Sequence, residues 1–279
     1  MTIIQAIILG LVQGLTEFLP VSSSAHLTLV GKAMGLISAE HPEAWTAFIA
    51  VIQLGTLLAV LIYFARDIVQ ISSAFLRENI AERKQWSAQS QESRMGWYVI
   101  VGTIPIVTIG LALKKIIESS LTKDVTVIAW TLIVLAIVLF IADRLSKQTR
   151  GLQEITWKDS LVIGFAQALA LFPGASRSGT TITAGLFLGL KRDVAARFSF
   201  LLSIPAVLAS GMLQLKQSLA FMDTQDLTTL LIATVVSGIS GYAAIALLLR
   251  YLQTHTTSVF VFYRIALGIA LLTIWKTLL

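Results

Sequence analysis

Gly10-Leu11-Val12-Gln13-Gly14-Leu15-Thr16-Glu17-Phe18-Leu19-Pro20-Val21-Ser22-Ser23-Ser24-Ala25-His26 interrupts an otherwise apolar stretch, residues 3–31, with a carboxylate, a proline and a run of hydroxyls. A second apolar stretch, 161–190, is interrupted by Pro173-Gly174-Ala175-Ser176-Arg177-Ser178-Gly179-Thr180-Thr181. The two align. Gly10 to Leu15 matches Gly164-Phe165-Ala166-Gln167-Ala168-Leu169, and Phe18 matches Phe172; after a one-residue gap Pro20-Val21-Ser22-Ser23 matches Pro173-Gly174-Ala175-Ser176. A repeat of about 150 residues divides the chain into halves, 1–150 and 151–279, each a broken segment followed by further apolar runs, within one integrated membrane domain.

Composition sets the solvent. Of 279 residues 56% are hydrophobic and 13% charged, with a mean hydropathy of +0.82. A soluble domain carries roughly 25% charged residues because its surface faces water, so this composition excludes a soluble globule, a disordered chain and a nucleic-acid binder. With no cysteine, disulfides, thiolate metal sites and cysteine nucleophiles are excluded too. The first apolar stretch lacks a basic leader and an A-x-A cleavage site, so it does not read as a removable signal peptide. Six runs approach the ~20 residues that a bilayer core requires: 45–64, 97–113, 126–142, 198–215, 228–248 and 259–275. Trp45, Trp97, Trp130 and Trp275 stand at or near their ends, as headgroup anchors do.

If the broken segments dip into the membrane and return on the same side, each half crosses three times, and the second half is inverted. Charge is consistent with that count. One face then holds the loops 65–96, 143–160, 189–197 and 249–258 with thirteen Lys and Arg, and the other holds six, Lys32, Lys114, Lys115, Lys123, Lys216 and Lys276. Positive charge favours the cytoplasm, which places both termini outside. The fold expected is an all-α polytopic membrane protein with an inverted-topology repeat, six transmembrane helices and two re-entrant broken-helix hairpins. Asp143 and Arg144, at a span end, read as interfacial anchors.

The broken segments also carry the chemistry. Gln13 and Glu17 are four apart and share a helix face, and Pro20 ends that helix. A carboxylate within the bilayer must pair, hold a cation, line water or bond a neighbouring helix. In the second segment, glycines and hydroxyls around Arg177 at a helix start offer N–H groups, a positive dipole end and a guanidinium fork, a set that suits phosphate. The hydroxyls taken alone serve equally as caps and packing groups. Converging at the midplane, the segments would bring Glu17 and Gln13 against Arg177, with hydroxyls and His26 between, and could hold a divalent cation and phosphate oxygens. Serine could attack phosphorus, His26 relay protons and Arg177 stabilise developing charge. Arg264, inside the last run, either reaches the same anion or sits near the headgroups.

At these residues the chain resembles the bacterial undecaprenyl-pyrophosphate phosphatases, the bacitracin-resistance family. The first signature, Glu or Gln, three residues, then Glu, is matched by Gln13 to Glu17 and continued through Ser22, Ser23 and His26. The second, Pro-Gly-x-Ser-Arg-Ser-x-x-Thr, is matched by Pro173 to Thr181. Gln13 stands where many relatives have Glu, leaving one carboxylate fewer. The resemblance implies a multi-pass inner-membrane enzyme that removes the terminal phosphate of undecaprenyl pyrophosphate, returning the lipid carrier to peptidoglycan synthesis, with its site toward the periplasm. It implies a divalent cation, Mg²⁺ or Ca²⁺, engaged by Glu17 and Gln13. Ser23 is the expected nucleophile and His26 its proton partner, with Glu17 and Arg177 catalytic. Gln13, Ser22, Ser24, Gly174, Ser176, Ser178, Thr181 and Arg264 fall to substrate binding. Expected partners are the polyprenyl pyrophosphate and membrane lipids, with a homodimer compatible and no nucleic acid.

A secondary transporter or flippase is the rival, since broken helices meeting at the midplane are also a transporter plan. The Ser-x-x-His beside Glu17 separates the two, because a carrier has no need of it.

Overall fold

The computed structural model describes residues 1–38, 40, 42–218 and 224–278, the side chains of 42, 120, 224, 225 and 274–278 excepted. Trp275 and Lys276 therefore lie outside the described side chains. The helices are α1 (Ile3–Glu17), α2 (Ser23–Ala33), α3 (Pro42–Tyr63), α4 (Ala65–Leu76), α5 (Gln91–Ala112), α6 (Lys114–Glu118), α7 (Val125–Leu145), α8 (Trp157–Ala168), α9 (Arg177–Phe187), α10 (Arg192–Ser218), α11 (Thr224–Leu252) and α12 (Ser258–Leu278). Among the described residues five stretches are long and apolar enough to cross a membrane: 43–63, 91–112, 125–145, 192–218 and 226–252. The sixth expected span lies in α12, whose described apolar part is the shorter Ser258–Thr273.

Both broken segments are hairpins whose free ends meet. Arg150 shows this for the second, donating to Asp159 Oδ1 in the first turn of α8 (3.0 Å) and to the Leu188 carbonyl at the end of α9 (2.8 Å). In the first, Met1 ahead of α1 and Leu36 beyond α2 join one apolar cluster with Leu9, Leu27 and Trp45. Each hairpin turns back at a tip that carries the polar residues.

The hairpins share one local structure in a register 154 residues apart, with no gap. Ser22 (φ 74°) and Ser176 (φ 68°) are the matching N-caps, and Gln13 and Gln167 are both fully buried. The expected gap is corrected, so Ser23 answers Arg177 rather than Ser176. Packing repeats across the halves as well: α1 lies along α11 and α8 along α5. Gly10 and Gly164 allow those approaches, since a Cβ on Gly10 would stand 2.5 Å from the Ala233 carbonyl oxygen and one on Gly164 would collide with that of Gly102.

The four basic loops are tied into one face. Arg197 pairs with Asp67 (2.6 Å) and Arg192 with Asp143 (2.5 Å). Asp143 also accepts from the Thr257 N–H (2.9 Å) and hydroxyl (3.0 Å). Asp143 is thus a buried tie between loops rather than a headgroup anchor. The tryptophans divide too: Trp130 faces outward, 56% exposed, while Trp45 is buried and stacks on Phe48 at 5.5 Å. Trp97 donates to Asn79 Oδ1 (2.9 Å). Between α3 and α5 the chain is not a plain loop, for Ile68, Ile71 and Phe75 recur at helical spacing along α4 and place it against α5. The main core draws on both halves, with Phe18 edge-on to Phe200 at 5.1 Å.

Candidate active site

The site forms where the hairpin tips meet. Glu17 closes α1, and one of its oxygens, Oε1, accepts from Arg177 Nη2 at 2.6 Å. The other, Oε2, accepts from Ser23 Oγ at 2.6 Å and from Gln13 Nε2 at 2.8 Å. Glu17 is 5% exposed, so its charge is stabilised by a guanidinium and two neutral donors rather than by bulk water. The amide of Gln13 is oriented by this contact, because its oxygen turned to the carboxylate would repel it. That leaves Gln13 Oε1 buried without a hydrogen-bond partner.

The caps decide which hydroxyl faces the chemistry. Ser22 Oγ accepts from the Ala25 N–H (3.4 Å) and lies 3.3 Å from Ser24 Oγ. Ser176 Oγ likewise accepts from the Gly179 N–H (3.1 Å) and lies 3.2 Å from Ser178 Oγ. Capping occupies Ser22 and Ser176 with their own helix starts, and the next residue on each tip, Ser23 and Arg177, projects to Glu17. Ser178 donates to the Leu19 carbonyl of the opposite tip (2.9 Å), joining the two hairpins directly. The N-terminal ends of α2 and α9 therefore converge, and their dipoles favour an anion there.

A cavity of about 400 Å³ opens from this point, with Glu17, Ser23, Ser24, Ser176 and Arg177 at its base. Its lining also includes Lys114, Glu118, Lys123 and Gln214. Lys123, in the turn before α7, donates to Thr46 Oγ1 (2.7 Å) and to the carbonyls of Glu118 (3.1 Å) and Ser119 (2.9 Å). Burial pushes its ammonium down to about 8.

Other expected site residues lie behind this wall. His26 turns away from Ser23: Nδ1 meets the Ser22 carbonyl at 2.7 Å and Nε2 the Tyr263 hydroxyl at 2.6 Å. A carbonyl only accepts, so Nδ1 carries the proton and the Tyr263 hydroxyl donates to Nε2. The pairing expected between Ser23 and His26 is not made: the group that Ser23 Oγ meets is the Glu17 carboxylate. Thr181 contacts Ser199 Oγ (2.6 Å) and donates to the Arg177 carbonyl (2.7 Å). Gly174 holds φ +84° against the Ile128 backbone. Arg264 takes neither expected place. Fully buried, it donates to the carbonyls of Pro20 (3.3 Å), Gly174 (3.2 Å) and Ala175 (3.2 Å) and so clamps both tips from behind. Sequence reasoning missed Tyr263, which meets His26, and Trp45, which lines the cavity, because an aromatic in an apolar run signals packing or an interface before a site.

The family model described as Bacitracin resistance protein BacA matches residues 6–270. The chain belongs to that family. Among curated BacA relatives, one from Syntrophobacter fumaroxidans, named Undecaprenyl-diphosphatase, is 60% identical over 272 residues, covering 98% of this chain and 97% of the relative. Relatives of the same name from Chloroherpeton thalassium and Myxococcus xanthus are 53% and 50% identical, covering 98% and 99% of this chain and 96% and 90% of their own lengths.

Proposed function

We propose that the protein is an integral membrane phosphatase hydrolysing undecaprenyl pyrophosphate to undecaprenyl phosphate and inorganic phosphate. The observation that carries the reading is the single carboxylate of Glu17 bonded at 2.6 Å both to Ser23 Oγ and to Arg177 at the base of a cavity. Family membership and the relatives' printed name support it. A hydroxyl donating to a buried carboxylate is a nucleophile with its base in place, and the guanidinium beside it suits phosphoryl oxygens.

Ser23 Oγ attacks the terminal phosphorus as its proton passes to Glu17 Oε2. The bond from that phosphorus to the bridging oxygen breaks, and undecaprenyl phosphate leaves with the electron pair. Water then displaces Ser23 Oγ from phosphorus and returns a proton to it through Glu17. Arg177, aimed from α9, exchanges its carboxylate contact for the oxygens of the transferring group, where charge accumulates in the transition state. Glu17 and the unpartnered Oε1 of Gln13 would hold a divalent cation, Mg²⁺ or Ca²⁺. Among the described residues no three His, Asp or Glu side chains cluster to hold a metal, so diphosphate oxygens and water would complete its shell. When bound, such an ion supplies charge neutralisation on the diphosphate.

The cavity lining reaches Lys114 and Lys123, at the end of the bundle with fewer positive charges. The positive-inside bias makes that end periplasmic in the bacterial inner membrane, where released undecaprenyl phosphate serves as the carrier for peptidoglycan synthesis.

Purified protein in detergent should release inorganic phosphate from undecaprenyl pyrophosphate with Mg²⁺ or Ca²⁺, and a phosphoserine should be trapped at Ser23 but not in Ser23→Ala. No release with any divalent cation, alongside substrate movement in liposomes, would overturn the reading in favour of a carrier.

A further inference from the structure

The active-site cavity is not the only apolar space along α5 and α10. A second, of about 680 Å³, lies between α4, α5 and α10, and Val107 lines both. On α10 the lining passes from Leu201, Ile204 and Pro205 in the second to Ala206 and Val207 in the first. The two spaces therefore adjoin at Val107, one leading from Arg177 and the other lying farther along α5 and α10. The two threonines of the second space present little to a polar guest: Thr103 returns its proton to the Val99 carbonyl (2.7 Å) and Thr108 to that of Ile104 (2.9 Å).

The seam that the repeat relates to this one, between α3 and α11, is shut. A Cβ on Gly55 would collide with the Thr234 carbonyl, and Ser237 Oγ donates across the seam to the Ile52 carbonyl at 2.7 Å. One of two like seams is sealed by small residues, and the one that meets the catalytic cavity is left open.

We infer that the seam between α5 and α10, down to α4, is the binding groove for the distal isoprene units of the substrate's tail, and that Thr103 and Ile204 help set the preference for long chains. The inference rests on the phosphatase reading above. Along α5 the lining runs from Leu111 to Gly96, about 22 Å at 1.5 Å per residue. A C15 tail has twelve main-chain carbons and, at roughly 1.5 Å per bond, a contour of at most about 18 Å. It ends before the groove does, whereas the eleven units of undecaprenyl can follow its whole length. Burial of apolar carbon at the far end of the groove then contributes to long-chain binding alone.

The test compares KM for undecaprenyl and farnesyl pyrophosphate in wild type, Thr103→Trp and Ile204→Trp. The groove predicts a rise of about tenfold or more in KM for the C55 substrate in both variants and a smaller rise for the C15 substrate, whose tail fills less of the groove. C55 values unchanged in both variants, with C15 turnover normal, would overturn the groove and leave the phosphatase reading intact. No phosphate release from either chain in wild type would instead overturn the phosphatase reading. A second measurement needs no variant: a photoreactive group on the third or fourth isoprene unit of a C55 tail, bound to wild-type protein, should label residues 96–108 of α5 or the facing part of α10. Labelling confined to bilayer lipid or to other helices would mean that an ordinary acyl chain occupies the groove and would refute the assignment.

Discussion

Replacing Glu17 by Gln and Ser23 by Ala, separately and together, tests the contact on which the chemistry turns. Ser23 Oγ donates to Glu17 Oε2 at 2.6 Å, and proton transfer by a positioned base contributes about 10²–10⁴ in rate. At about 1.36 kcal/mol per decade, that is roughly 3–5 kcal/mol of barrier. Glu17→Gln keeps the size of the side chain, but an amide takes no proton, so turnover should fall by that factor. Ser23→Ala removes the attacking oxygen and should cost at least as much. If the two residues act as one unit, the double variant falls no further than the worse single one; independent actions would multiply to about 10⁴–10⁸. Phosphate release from undecaprenyl pyrophosphate reads the rates, and thermal unfolding in detergent reads the fold. Breaking a fully buried ion pair costs about 3–5 kcal/mol. Arg177 borders the cavity with 15% of its side chain exposed, so the stability loss in Glu17→Gln should be smaller and the protein recoverable. Multiplicative losses, or turnover within about threefold of wild type in Glu17→Gln, would refute the pairing of base and nucleophile.

Arg264→Met should unfold or inactivate the protein although Arg264 does not line the cavity. It leaves three buried carbonyls without their donor, at about 1–3 kcal/mol each, and Arg264→Lys, lacking the planar fork, should rescue little. Gly174→Ala forces a side chain into φ +84° with its Cβ 2.7 Å from the Ile128 carbonyl oxygen; it should cost about 1–3 kcal/mol and lower turnover. Gly35→Ala, at φ +67° with nothing within 4 Å, should leave turnover unchanged. Lys123, lowered to about 8 in the fold against about 10.4 unfolded, binds fewer protons folded than unfolded between those values. Thermal stability in detergent should therefore gain a contribution from this group as pH rises from about 8 to 10.4, and Lys123→Met should remove it.

The broken segments were legible because a carboxylate, an arginine and two prolines in apolar sequence have few places to go. Glu17 and Arg177 meet at 2.6 Å, as buried opposite charges must unless one is neutralised. What could not be read was which hydroxyl does what. Ser22, Ser23 and Ser24 are adjacent and chemically alike, and one helical step turns a side chain by about 100°. Only the φ of 74° at Ser22, fixed by the tip, makes that residue the cap and aims its neighbour at Glu17. Arg264 was ambiguous for a related reason: a guanidinium can be held by an anion or by backbone carbonyls. The carbonyls of Pro20, Gly174 and Ala175 exist as a cluster only once two tips 154 residues apart have met. Helix α4 was missed because length and hydropathy, which reveal a span, say nothing of an amphipathic helix lying against one.

The same correspondence explains how a repeated frame yields an asymmetric site. At matched positions the tips carry Glu17 against Leu171, Ser23 against Arg177 and His26 against Thr180, while the caps Ser22 and Ser176 and the buried Gln13 and Gln167 are the same. The shared residues are those that shape the tip. The differing ones divide the reaction, acid and hydroxyl on one side and cation on the other. A frame with the same side chains on both tips would set two carboxylates or two guanidinium groups face to face, each repelling its like and leaving the other half of the reaction unserved. Exchanging the pair, as Glu17→Arg with Arg177→Glu, preserves the charge balance but moves the base away from Ser23. The fold should then survive better than in either single change, while turnover stays lost. Recovery of phosphate release in the exchanged protein would show that Glu17 serves only to pair Arg177 and that the base lies elsewhere.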